Sequence, residues 1–205
     1  MIAHVDYFFS VASPWTFLGS QRFIDMVQRT GATVRVRPMD FSRVIAAAGG
    51  LPYQQRPVQR ASYRQDDLAR WRRRLDIPLK LEPAFYPVDR TPASLAVIAA
   101  RDLGQPAALA LSHAVLRAIW QEDLDISSWV LMESLANAIG LDGAALINTA
   151  RTPEIAEAFR QDTEAAINAR VFGAPTWVVD GERFWGQDRL NFLEERLQRT
   201  DQISP

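Results

Sequence analysis

The chain of 205 residues contains no cysteine. No disulfide can form within it, and no protein thiolate can serve as nucleophile or metal ligand. Its two histidines, His4 and His113, are too few and too scattered for a zinc site, so no metal is expected. No sign of charge dominates: 23 lysines and arginines stand against 24 aspartates and glutamates, for a formal net charge of −1. That balance argues against partners held by bulk electrostatics, and no nucleic acid is expected. No run approaches the ~18 uninterrupted apolar residues of a membrane helix, so no membrane partner is expected either. The opening MIAHVDYFF lacks a basic leader, a long apolar stretch and a small-residue cleavage site. The expectation is a soluble, cytoplasmic protein. What the chain does have is 48% hydrophobic content, enough for one good core or for one domain carrying a large insertion.

Residues 2–9 are β-branched and aromatic and predict a buried strand. Phe17, Leu18, Phe23, Ile24 and Val27 recur at helical spacing, predicting a helix from about Ser13 to Thr30 with Gly31 as its stop. Residues 33–39 alternate apolar and polar and predict a second strand. From Asp40 to Ala166 the periodicity is helical. A charged helix is expected over Asp66–Leu75, where Arg70, Arg72, Arg73 and Arg74 read as a solvated face. Further helices are expected from Thr91-Pro92, around Leu111–Ala118, over Ser127–Ile139, and from Asp142 and Thr152-Pro153. Near the end, Thr176–Val179, Asp180-Gly181 and Glu182–Trp185 give a hairpin signal, the Asp-Gly pair suiting a type I′ turn. A last helix is expected over Asp188–Arg199 with Leu190, Leu193 and Leu197 as its apolar stripe. The order is βαβ, a helical block, then ββα. Neither flanking unit can bury a core alone, so the two should share one sheet, with 1–40 plus 167–205 forming one domain and 41–166 inserted as an all-helical one.

Three segments carry candidate chemistry. Ser13-Pro14-Trp15-Thr16 joins the first strand to its helix. Serine at the N-cap and proline at the first helical position make a well-capped helix by themselves. The same place also offers free amides and the positive end of the helix dipole, which favour an anion, and a cap hydroxyl that could donate to it. In Phe172-Gly-Ala-Pro-Thr-Trp177, Pro175 is either an ordinary loop proline or follows a cis peptide that leaves the Ala174 backbone open to an extended peptide. In Phe184-Trp-Gly-Gln-Asp-Arg-Leu190, Asp188 either caps the last helix or accepts from a ligand's ammonium group, with nearby amides receiving a carboxylate.

Together S-P-W-T, F-G-A-P-T and F-W-G-Q-D-R-L resemble the kappa-class glutathione transferases and 2-hydroxychromene-2-carboxylate isomerases, relatives of the DsbA-like disulfide oxidoreductases. The resemblance spans essentially the whole chain and implies an α/β, thioredoxin-like fold with the helical insertion between its βαβ and ββα halves. It implies glutathione as cofactor. Ser13 matches the serine that hydrogen-bonds the glutathione sulfur, in the place of the first cysteine of the redox relatives' CxxC, with Thr16 in the second. Ala174 and Pro175 match the residues that pair with the cysteinyl backbone, and Gln187 and Asp188 the pair that holds the γ-glutamyl end. The chain departs from the pattern in the segment from Gly49 to Arg60, where the family has an asparagine and a lysine and this chain has Gly50 and Gln59. Arg56 or Arg60 could replace the lost charge.

The reaction so implied is a glutathione-dependent cis–trans isomerisation by reversible thiol addition, with trans-o-hydroxybenzylidenepyruvate as product. The substrate is then a small aromatic carboxylate, and Phe8, Phe9, Trp15, Phe85, Tyr86 and Trp120 are candidate pocket residues, at best a third of which should face a ligand. A homodimer is implied as well. Two alternatives stay open: glutathione transfer or peroxidase action on other electrophiles, and a non-catalytic thioredoxin-fold binder. Dithiol exchange is excluded for a chain without sulfur nucleophiles.

Overall fold

The alternating residues of the first and third strands each serve two faces of one sheet. In the computed structural model, which describes residues 3–51 and 55–201, β1 (His4–Phe9) and β2 (Thr33–Pro38) pair in parallel, joined by α1 (Pro14–Thr30). The hairpin strands β3 (Thr176–Val179) and β4 (Glu182–Trp185) complete a four-stranded sheet of order β2-β1-β3-β4, with β3 antiparallel to β1. Tyr7 stands opposite Trp177 across that pairing and the two rings stack; Tyr7 also stacks on Phe9, and Phe23 of α1 meets both Tyr7 and Trp177 at a tilt, in one aromatic layer. The odd neighbours, Phe8 and Val178, face the other way and pack with Val44, Ala166 and Val171. This two-sided burial is what period-2 alternation between apolar residues produces in a covered sheet.

The block between the halves is helical: α2 (Phe41–Ala47), α3 (Val58–Leu75), α4 (Thr91–Ala99), α5 (Gln105–Trp120), α6 (Trp129–Ala138), α7 (Gly143–Ala150) and α8 (Pro153–Asn168). α9 (Leu190–Asp201) ends the description. α4 is buried on every side from Pro92 to Ala99, so it forms the axis of the block. Its Ala93, Ala96 and Val97 belong to the same continuous core as Val5, Tyr7 and Trp177. No helix among the described residues is long and apolar enough to cross a membrane.

The strands, the capped start at Ser13, the αL stop at Gly31, the Asp142 cap and the Asp180-Gly181 turn fall where expected. Four details differ. α2 falls inside the stretch read as helical but is not among the helices placed there; Asp40 caps it through Oδ1 on the amides of Ser42 and Arg43. α3 begins at Val58 and not near Asp66, because only Leu68 of its residues is buried and the pattern is faint. α6 starts one residue after its cap Ser128 and stops at Ala138. The last helix is preceded by a 3-10 turn over Gln187–Arg189, so Asp188 lies inside a turn and its carboxylate pairs with Arg189 at 2.7 Å. Ile2 of the first strand and Pro52 lie outside the described residues.

Candidate functional site

Strand β1 runs out at Phe9, and the chain turns through Ser10–Ser13 into α1. Ser13 is extended (φ −86°, ψ 123°), which aims its side chain back over the first turn. Its Oγ accepts the Thr16 N–H at 3.2 Å and donates to the Ala174 carbonyl at 3.4 Å. The second bond is long, hence weak and easily exchanged for a better acceptor. Pro14 has no N–H, so the cap hydroxyl and the Trp15 amide are the donors at this helix end.

The peptide between Ala174 and Pro175 is cis, and the Ala174 N–H has no partner among the described residues. Pro175 is tied from the other side, its carbonyl accepting the Gly186 N–H at 2.9 Å. Gly173 must be glycine here, since a β-carbon would fall within the indole of Trp185. Trp185 also meets Phe172 edge-on at 4.7 Å. The two sequence motifs around Gly173 and Trp185 are thus a single packed unit. Gly173→Ala should cost about 1–3 kcal/mol of stability by overpacking. In a double-mutant cycle read by urea unfolding, Trp185→Ala should remove most of that cost.

The turn carrying Gln187 and Asp188 packs onto α1 through Gly19, where a β-carbon would stand 2.9 Å from Gln187 Cβ. One turn along, Arg22 donates from Nη2 to the Gln187 carbonyl at 3.0 Å and also to Gln187 Oε1. Burial lowers the Arg22 pKa from its ordinary value, while the charge of Asp188 opposes that shift.

These elements border one cleft with two chambers. The inner chamber, ≈ 850 Å³, is lined by Ser13, Trp15, Tyr86, Arg56, Arg64 and Arg90 among others. Three guanidinium groups and no carboxylate border it among the described residues. Arg90 is held by the Ser42 hydroxyl at 2.8 Å, and Arg64 lies over the Tyr86 ring at 5.7 Å. The outer chamber, ≈ 1380 Å³ and open to solvent, runs past Gln59, Arg60, Trp71, Trp185, Gln187 and Asp188. Ala174, Trp15 and Arg56 border both.

Ser13, Ala174, Gln187 and Asp188 are therefore brought to one cleft, with Trp15, Arg56, Gln59 and Arg60 around it. Pro175 stands behind Ala174 and does not line either chamber. Gly50 does not line the cleft; its N–H closes onto the Ile45 carbonyl at 2.8 Å, at the end of α2. Thr16 is fully buried and lies off the cleft. Of the six candidate aromatics, Trp15 and Tyr86 face the cleft, whereas Phe8, Phe9 and Trp120 are core and Phe85 is exposed elsewhere. His113 is half-buried and bonded to Ser20 Oγ at 2.8 Å away from the cleft, and burial holds its pKa below the usual histidine value. The basic run of α3 is exposed at Arg70, Arg72, Arg73 and Arg74. Sequence reasoning missed Arg22, Arg64 and Arg90. The one local signal for Arg22 is a charge set between the apolar positions Leu18, Phe23 and Met26 of α1.

A family model described as DSBA-like thioredoxin domain matches residues 4–198. A 2-hydroxychromene-2-carboxylate isomerase of Sphingobium xenophagum is 33% identical over 198 residues, spanning 96% of this chain and 99% of its own. Homo sapiens glutathione S-transferase kappa 1 is 26% identical over 204 residues, covering 94% and 90%. Among solved structures, a 2-hydroxychromene-2-carboxylate isomerase superposes with a TM-score of 0.82 at 28% identity, over 98% of this chain and all of the other.

Proposed function

This chain belongs to the 2-hydroxychromene-2-carboxylate isomerase family of DSBA-like thioredoxin proteins, and from that premise we propose that it is a glutathione-dependent isomerase of aromatic carboxylates of the 2-hydroxychromene-2-carboxylate type. The observation that carries the reading is the convergence of the Ser13 hydroxyl, the unpartnered Ala174 N–H and the Gln187-Asp188 turn on one cleft. These groups fit a γ-glutamyl tripeptide thiol. An open backbone amide suits an extended cysteinyl residue, a hydroxyl stands where its sulfur would lie, and a carboxylate stands where its ammonium group would lie.

When bound, glutathione supplies a thiolate that adds reversibly to the substrate's conjugated system, turning a double bond into one about which rotation is free. The protein's own part is electrostatic. Ser13 Oγ and the α1 N-terminus favour a thiolate over a thiol, lowering the pKa from ~8.5 without a protein base. Gln187 and Asp188 hold the γ-glutamyl end, and Gln59 and Arg60 border the same chamber. Trp15 offers a flat face to an aromatic ring, and Arg56, Arg64 and Arg90, with Tyr86 under Arg64, surround the inner chamber where a substrate carboxylate would sit. The same groups would serve transfer of glutathione to another electrophile, the reading favoured by the kappa-class relative.

The test is conversion of 2-hydroxychromene-2-carboxylate followed by absorbance with and without glutathione. Turnover that requires the thiol is expected. No turnover in protein shown by calorimetry to bind glutathione would overturn the isomerase reading. Faster reaction with a chloroaromatic or hydroperoxide would replace it by the transferase one.

A further inference from the structure

Gln187 is 2% exposed, yet it borders the outer chamber and carries a polar amide. Such an amide has two ends of opposite character, and its function depends on which end faces the ligand. Arg22 decides this. A guanidinium only donates, so the end of the amide that meets it must be the carbonyl. Arg22 Nη2 is bonded to Oε1 and, at 3.0 Å, to the main-chain carbonyl of the same residue. That two-point grip fixes both the side-chain rotamer and the backbone of Gln187. The remaining end, the Nε2 amine, has no partner among the described residues and is not sealed from solvent.

The grip is costly for a merely structural contact. The guanidinium is half-buried, and its Nε is buried without an acceptor. Gly19, one turn before it on α1, is the small residue that lets the Gln187 turn come this close. Beside Gln187, Asp188 presents a carboxylate at the cleft, with one oxygen paired to Arg189 at 2.7 Å. A donor and an acceptor therefore stand on consecutive residues.

We infer that Arg22 is a positioning residue that locks the Gln187 amide with its NH2 toward the cleft, making Gln187-Asp188 a reader of a zwitterionic α-amino-acid terminus. This rests on the glutathione reading above and adds to it. The Gln187 NH2 donates to the α-carboxylate of the γ-glutamyl residue, while Asp188 accepts from its ammonium group. Without Arg22 the amide is free to turn its oxygen to the ligand, where it would repel that carboxylate.

The experiment compares glutathione with γ-aminobutyryl-cysteinylglycine, the same thiol lacking only the α-carboxylate. Wild-type protein should show a KM lower for glutathione by roughly tenfold or more, the worth of one charge-assisted hydrogen bond. Arg22→Met should raise the KM for glutathione and leave that for the analogue near its wild-type value. It should change kcat at saturating thiol by no more than about twofold, because uniform binding is what is lost. Gln187→Glu retains an oxygen for Arg22, so it keeps the fold even where Arg22→Met does not. It removes the amine and should abolish the discrimination. Parallel rises in both KM values, or discrimination that survives Gln187→Glu, would overturn the inference. Wild-type protein that binds both thiols equally would overturn the inference alone. Wild-type protein that binds neither would overturn the glutathione reading and the inference with it.

Discussion

Ser13→Ala is expected to lower kcat by about 10²–10³-fold, the usual worth of a preorganised donor at a reacting anion, while costing only about 1 kcal/mol of stability. The two effects differ because Oγ has two tasks. As a cap it accepts the Thr16 N–H at 3.2 Å, and helix starts tolerate the loss of such a bond. As a donor it spends its proton on the Ala174 carbonyl at 3.4 Å, a bond too long to be its best one. A thiolate in the cleft would take that proton instead. The variant also exposes the Thr16 N–H, which can point at the same anion, so residual activity is expected and not complete loss. The pH profile separates this from damage to the fold. A donor to the thiolate lowers the pKa of the bound thiol, so removing it raises that pKa and moves the rising limb of kcat/KM to higher pH. A profile that merely scales down, with its midpoint unmoved, would show that Ser13 is a cap and no more.

The parts of this molecule that were legible in the sequence are those specified by near neighbours. The Ser13-Pro14 start, the Gly31 stop and the Asp180-Gly181 turn each need only a few adjacent residues, and each lies where its residues predict. α2 was hidden because only Val44 and Ile45 of its residues are buried, too few to set a period. The first half of α3 was hidden for the same reason. The site divides along the same line. Ser13, Ala174 and Gln187 come from motifs with local logic. Arg64 and Arg90 come to border the same chamber as Ser13 only through the packing of the helical block, which no spacing in the sequence records. The aromatic residues show the same limit from the other side. Trp120 and Tyr86 touch each other, at 5.2 Å between ring centres, yet only Tyr86 borders the cleft. Their residue type did not distinguish core from pocket; their depth did.

The opposite signature to that of Ser13 is expected at Asp162: Asp162→Ala should cost about 3–5 kcal/mol of stability, with turnover per folded molecule unchanged. Asp162 on α8 is nearly fully buried between two guanidinium groups, Arg37 of β2 at 2.8 Å and Arg101 at 2.7 Å, just past α4. Arg37 reaches on to Asp6 of β1 at 2.6 Å, and Arg101 also donates to the Val36 carbonyl at 3.2 Å. One carboxylate thus fastens the helical block to two strands of the sheet. Removing it leaves Arg101 with backbone carbonyls alone and Arg37 with Asp6 alone, each guanidinium under 15% exposed and with little solvent to replace the lost carboxylate. Set against a total stability of about 5–15 kcal/mol for a folded domain, the loss should move a urea midpoint by a large fraction of its value. Asp162→Asn keeps an acceptor for one arginine and should lose less. None of these residues borders the cleft, so activity normalised to the folded fraction should hold. A change of less than about 1 kcal/mol would mean that the two arginines find solvent or other acceptors once the carboxylate is gone, and that apolar packing alone joins the helices to the sheet.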